Sequence, residues 1–97
     1  MLYMVHMRAK PPQPPTEDFL ARMQAEKRRV LELQRAGAWL HLWRVVGENS
    51  NYSVFDVRDH DELHALLSSL PLFPYLELRV TPLALHPASL AANPDAD

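Results

Sequence analysis

The chain contains no cysteine, which excludes disulfides, a thiolate nucleophile and any zinc site built on Cys. Glycine is almost as scarce. Gly37 and Gly47 are the only two, too isolated to cradle a phosphate, and no phosphate loop, dinucleotide fingerprint or G-x-S-x-G nucleophile elbow occurs. A basic excess is also missing: ten Lys and Arg against twelve Asp and Glu leave a net charge of −2, which gives no electrostatic footprint for nucleic acid or an anionic membrane. No apolar run approaches the ~20 residues of a membrane span, and Met1 to Lys10 lacks the basic start and long apolar centre of a signal peptide. The expectation is a soluble, cytoplasmic protein. No internal repeat of solenoid period is present.

What remains is the composition of a folded domain, 47% hydrophobic and 23% charged over 97 residues. The whole chain, 1–97, reads as one domain, small enough that some of its apolar surface needs a partner. Leu2 to Arg8 alternates as a first strand, with Tyr3, Val5 and Met7 on one face and Leu2, Met4, His6 and Arg8 on the other. Pro11, Pro12, Pro14 and Pro15 then make an extended connector. Thr16 caps a helix that Gly37 closes, and Glu17 and Asp18 suit its positive end. Trp39 to Val46 and Asn51 to Val57 read as two strands joined by a hairpin loop at Gly47-Glu48-Asn49-Ser50.

Asp59 starts a second helix with Glu62 three residues on, and Leu63, Leu66, Leu67 and Leu70 supply its buried stripe up to Pro71. Tyr75 to Val80 is the last strand. Thr81 to Asp97 is an extended segment expected to contact a neighbouring subunit before fraying. This βαββαβ order predicts an α+β, ferredoxin-like fold, an antiparallel sheet with two helices on one face. Strand parity puts Leu40, Leu42, Arg44 and Val46 opposite Trp39, His41, Trp43 and Val45, so neither face of the second strand is polar. A sheet apolar on both sides needs a second cover, here another subunit, with Trp39 and Trp43 in the interface.

Two charges stand where apolar residues are expected. On the first helix Phe19, Met23, Val30 and Leu33 fall on one narrow arc, widened by Leu20 and Leu31, and Glu26 lies at its centre. A carboxylate there must neutralise, find a cation or accept hydrogen bonds. Desolvation also raises its pKa toward working pH, which suits proton abstraction from carbon. Arg44 shares the Leu40/Leu42 face and needs an anion from the protein or from a ligand. Two readings stay open: a structural salt bridge between Glu26 and Arg44, or a pocket in which Arg44 holds a substrate carboxylate while Glu26 moves a proton.

Lesser candidates surround this pair. Lys27 edges the helical stripe as a second cation or a solvated residue. Tyr52, with Asn51 and Ser53 on the opposite parity, offers donors for an enolate oxygen, and His41 is a proton carrier or an interface hydrogen-bonder. His60 and His64 have a metal-binding spacing but no third ligand, so solvent-facing histidines are the better reading and no metal is expected. His6 and His86 carry less information still.

The blocks His41-Leu42-Trp43-Arg44-Val45, Asn51-Tyr52-Ser53-Val54-Phe55-Asp56-Val57 and Leu70-Pro71-Leu72-Phe73-Pro74-Tyr75 together resemble the muconolactone isomerase family of the β-ketoadipate pathway. The likeness runs from Met1-Leu2 through Ala25-Glu26-Lys27 to His86-Pro87-Ala88-Ser89 and is weakest in the first strand and the connector. The resemblance implies subunits paired sheet to sheet as a dimeric α+β barrel, further assembly into a homodecamer, and no cofactor. It also implies conversion of (S)-muconolactone to 3-oxoadipate enol-lactone in catechol degradation, through a dienolate formed by deprotonation at C4 and reprotonated at C2. Glu26, Arg44, Tyr52 and His41 are then the catalytic candidates, and Lys27, Asn51 and Ser53 the substrate-binding ones. A dehalogenating relative acting on chlorinated muconolactones shares this scaffold. A small-ligand binding module or a cofactor-free monooxygenase on the same barrel lacks these sequence blocks.

Overall fold

The computed structural model describes residues 1–95. Its elements are β1 (Leu2–Ala9), α1 (Glu17–Arg35), β2 (Trp39–Arg44), β3 (Ser50–Asp56), α2 (His60–Ser68) and β4 (Leu76–Leu83), with short 3-10 turns at Phe73–Tyr75 and Leu90–Ala92. The sheet is antiparallel throughout in the order β2-β3-β1-β4. The expected α+β architecture is present, because each local signal points to the same element. Thr16 Oγ1 accepts from the Phe19 N–H at 3.1 Å, satisfying one orphan donor at the start of α1. Asp59 Oδ1 accepts from the Glu62 N–H at 2.8 Å at the start of α2. Gly37 ends α1 with φ +83°, a conformation that strains any residue with a Cβ.

One face of the sheet carries the core. Tyr3 pairs with Phe55, Val5 with Ser53 and Met7 with Asn51, so these residues point to the same side. Leu33 of α1 and Leu63, Leu66 and Leu67 of α2, with Leu70 beyond its end, close over them as one cluster with Trp39 and Val57. Each fully buried Leu or Phe contributes about 1.5–3 kcal/mol relative to an exposed one, and both helices lie on this face.

The structure corrects several sequence expectations. The register shifts between Trp39 and His41: Trp39 pairs with Phe55 but His41 already pairs with Val54. This irregularity reverses parity, so Trp39 turns inward and is only 2% exposed, leaving Trp43 and His41 on the outer face. β2 also ends at Arg44 rather than Val46. β4 starts one residue later than Tyr75 and runs on to Leu83, placing Pro82 opposite Tyr3. The proline is tolerated because β4 is an edge strand. On α1, Phe19 and Leu33 are buried, whereas Leu20, Met23 and Leu31 are exposed, since the seat on the sheet is narrower than the apolar arc.

Candidate active site

A cavity of about 430 Å³ opens between α1 and the inner face of the sheet, within the size range of small-molecule sites. Glu26 and Val30 form its helical wall, Trp39, Leu42 and Arg44 come from β2, Ser50 and Asn51 from β3, and Leu72 and Leu76 close one end. The irregularity in β2 shapes this wall. By reversing parity after Trp39, it brings Trp39, Leu42 and Arg44 all to the cavity side.

Glu26 is half-buried, as its place on the arc predicts. Burial pushes its carboxyl above the usual carboxylate range, and a hydrogen bond from the Leu72 backbone N–H opposes this in part. That bond, Leu72 N to Glu26 Oε1, is 3.1 Å long. No salt bridge joins Glu26 to Arg44; among the described residues neither side chain takes part in one. The structure therefore leaves out the ion pair that the sequence kept open. Arg44 is exposed rather than sunk in an aliphatic layer, because β2 is an edge strand and the cavity beside it is open.

The other candidates divide. Asn51 lines the cavity. Ser53 does not: it is fully buried and donates its hydroxyl to Asn51 Oδ1 at 2.7 Å, which fixes the amide and leaves its NH₂ group free to serve as the donor. Lys27 is exposed and does not line the cavity, since one residue along a helix turns the side chain by about 100°. Tyr52 and His41 belong to the outer face of the sheet. Tyr52 leans on His6 with ring centroids 4.8 Å apart, and His41 stacks on Trp43 at 4.8 Å. Neither reaches the Glu26 cavity of its own chain. Among the described residues no three His, Cys, Asp or Glu cluster as metal ligands, and His60 instead hydrogen-bonds the Tyr3 hydroxyl through Nδ1.

Two contributors were not legible in the sequence. Trp39 lines the cavity, and its Nε1–H is buried without a hydrogen-bond partner among the described residues. The Leu72 N–H that meets Glu26 is backbone, and no residue type announces it. A second concavity, about 500 Å³, lies on the outer face between Tyr52, His6, Arg8, Glu77 and Arg79. It is larger, but it contains no half-buried carboxyl with a raised pKa.

A cavity with a desolvated carboxyl on one wall, an unpaired guanidinium on another and an oriented amide between them suits acid–base work on a small anionic substrate. On an α+β scaffold of this size, the class is a compact enzyme with its pocket between helix and sheet. Comparison with known proteins makes the class specific. A model of the muconolactone delta-isomerase family matches residues 1–89, and the chain belongs to that family.

Among relatives, the muconolactone Delta-isomerase of Cupriavidus pinatubonensis is 52% identical over 93% of this chain and 99% of its own. That of Acinetobacter baylyi is 43% identical over 93% and 95%, and that of Pseudomonas aeruginosa 40% over 96% and 98%. The fold agrees as well: a crystal structure of muconolactone isomerase superposes with a TM-score of 0.84 at 43% identity, covering 93% of this chain and 95% of that one.

Proposed function

We propose that the protein isomerises (S)-muconolactone to 3-oxoadipate enol-lactone, as an intramolecular proton shift within the β-ketoadipate branch of aromatic degradation. The observation that carries this reading is a half-buried Glu26 carboxyl facing the same cavity as an unpaired Arg44, in a chain whose relatives bear the isomerase name. Arg44 binds the acetate side chain of the substrate by charge-assisted hydrogen bonds, for which its planar fork allows a bidentate geometry. Glu26 removes the C4 proton, whose loss gives a dienolate with charge on the lactone carbonyl oxygen. Asn51 donates its amide to that oxygen as charge develops.

The same carboxylic acid then returns the proton at C2, and the double bond leaves conjugation with the carbonyl. One proton leaves and one returns, so atoms and electrons balance within the substrate. A carboxyl raised above its usual range suits both halves, since it is basic enough to abstract and acidic enough to give back. The free protein works as a cytoplasmic homo-oligomer paired through the outer sheet faces, where Trp43 and Tyr52 are exposed. Residues beyond β4 add contacts to a neighbouring subunit.

The test follows the absorbance of the conjugated lactone with purified protein and its Glu26→Gln variant, which removes the base and keeps the shape. Turnover by wild type with a loss of roughly 10²–10⁴-fold in the variant supports the assignment. Full activity in the variant removes Glu26 from the mechanism. An inactive wild type that releases chloride from a chlorinated muconolactone would transfer the reading to the dehalogenating relative.

A further inference from the structure

One peptide unit is gripped from both ends by the same helix. The carbonyl of Pro71 accepts from Arg22 Nη1 at 2.9 Å, and the N–H of the same unit, that of Leu72, donates to Glu26 Oε1 at 3.1 Å. Arg22 and Glu26 are four residues apart on α1 and so share a face. The grip is braced behind Arg22. Its Nε donates to both Asp18 oxygens at 3.1 and 3.0 Å, and the Tyr75 hydroxyl donates to Asp18 Oδ2 at 2.7 Å. Tyr75 is held in turn, its N–H on the Leu72 carbonyl at 2.8 Å and its own carbonyl under the Lys10 N–H at 2.8 Å. Its ring meets Phe19 edge-on at 5.1 Å.

We propose that Arg22 is a positioning residue for Glu26, acting through the Pro71–Leu72 peptide that the two side chains hold between them. The inference deepens the isomerase reading and rests on it. A cation on the carbonyl of a peptide draws electron density from its nitrogen and makes the N–H a stronger donor. The donor in question is the one that opposes the effect of burial on Glu26. It also pins one carboxylate oxygen, so that the other is fixed in direction toward the cavity. Helix and loop are thereby locked at the distance proton transfer needs, where a small misplacement is costly.

The charged groups around Glu26 are few. Arg44 faces it from β2, while β1 and β3 present only neutral groups to the cavity. On α1, Arg29 is engaged by Ser69 and Glu32, and Lys27 points to solvent. Asp18 and Tyr75 lie beyond Arg22. Arg22 is therefore the cation whose removal changes the N–H that Glu26 accepts.

The experiment compares wild type, Arg22→Met and Arg22→Lys in three readouts: the pH dependence of kcat/KM with muconolactone, the ¹³C-carboxyl titration of Glu26, and hydrogen exchange at the Leu72 amide. In Arg22→Met the acidic limb and the Glu26 midpoint rise by about one pH unit, the size expected for weakening one hydrogen bond to a charged group. Leu72 exchange accelerates, and kcat falls more than KM changes. Arg22→Lys, which keeps a charged donor, recovers part of all three. An unmoved Glu26 midpoint in Arg22→Met overturns the proposal. A midpoint fully restored by lysine while Leu72 exchange stays fast also overturns it, because the effect is then charge through space.

The NMR titration does not depend on catalysis, so the two readings fail separately. If Glu26→Gln keeps its rate but the midpoint moves, the isomerase mechanism falls and the grip stands. If Arg22→Met does not fold, Tyr75→Phe removes only the distal hydroxyl. It should move the midpoint in the same direction by less, and no movement there counts against the proposal.

Discussion

Glu26 and Arg44 face one cavity from α1 and β2, and no salt bridge joins them. The separation matters because a paired carboxylate would be held in its charged form and a paired guanidinium would have no vacancy for an anion. Left apart, the first keeps a raised pKa from burial and the second keeps its donors. Solvent at the open edge of β2 limits what the unpaired cation costs.

Arg44→Met is expected to lower kcat/KM by roughly 10- to 100-fold, mainly through KM, on the scale of hydrogen bonds between charged groups. Arg44→Lys should recover part of this, because a point charge replaces a planar fork. Being exposed, the residue should change unfolding free energy by no more than ~0.5 kcal/mol. Steady-state kinetics and urea melts check both. A loss confined to kcat would move Arg44 from the acetate group to the reacting oxygen.

Much of this site was legible in the sequence, for a specific reason. Glu26 and Arg44 are charges that break a periodic apolar pattern, and a broken pattern reveals itself without coordinates. Asn51 is a donor candidate by its company in the third strand, but parity does not tell which face lines a pocket. Tyr52 stands beside it as a hydroxyl donor and His41 as a proton carrier by residue type, and the register puts both on the outer face. Strict alternation puts Trp39 on that outer face, because the irregularity in β2 has no residue signature here and alternation carried past it inverts every assignment on one side. The Leu72 N–H belongs to the backbone, so only the path of the chain after Pro71 could reveal it.

Trp39 gives a sharper packing test than most core residues. Its ring packs on Phe55 at 4.7 Å and its N–H is buried without a partner among the described residues. Trp39→Phe removes an unsatisfied donor as well as volume, and these act in opposite directions. Its cost should stay below about 2 kcal/mol, whereas Trp39→Ala should cost about 3–5 kcal/mol. Denaturant unfolding of the two variants decides it, and a Trp39→Phe cost well above about 2 kcal/mol would mean that the indole N–H finds a partner in solution.

The outer sheet face makes a prediction about assembly. Trp43 is 58% exposed and Tyr52 44%, and exposed aromatics grouped on one sheet face are what a paired subunit would cover. Trp43→Glu places an unpaired carboxylate in that contact, so sedimentation should move from an oligomer to smaller species at the same protein concentration. An unchanged sedimentation profile would count against pairing through this face.

Glu26 also makes a prediction about stability with a definite sign. Burial, the larger influence, lifts its carboxyl above the ordinary 4.5 despite the Leu72 bond, so the folded protein keeps this proton to higher pH than the unfolded chain does. The stability it contributes is fully present below the unfolded value and is lost as pH rises through the folded one. Asp18 and Asp59 act in the opposite sense. The Tyr75 hydroxyl and then Arg22 lower Asp18, and the Glu62 N–H lowers Asp59, so their contributions are lost as pH falls. Glu26→Gln leaves those groups in place, and the difference between variant and wild type isolates Glu26. The variant should match wild type most closely near about pH 4 and gain thermal stability over it as pH rises toward about pH 8. Parallel melting curves across that range would mean the carboxyl is not desolvated. Divergence in the expected direction, together with lost turnover, would identify Glu26 as a group that costs the fold stability at the pH where it is ionised.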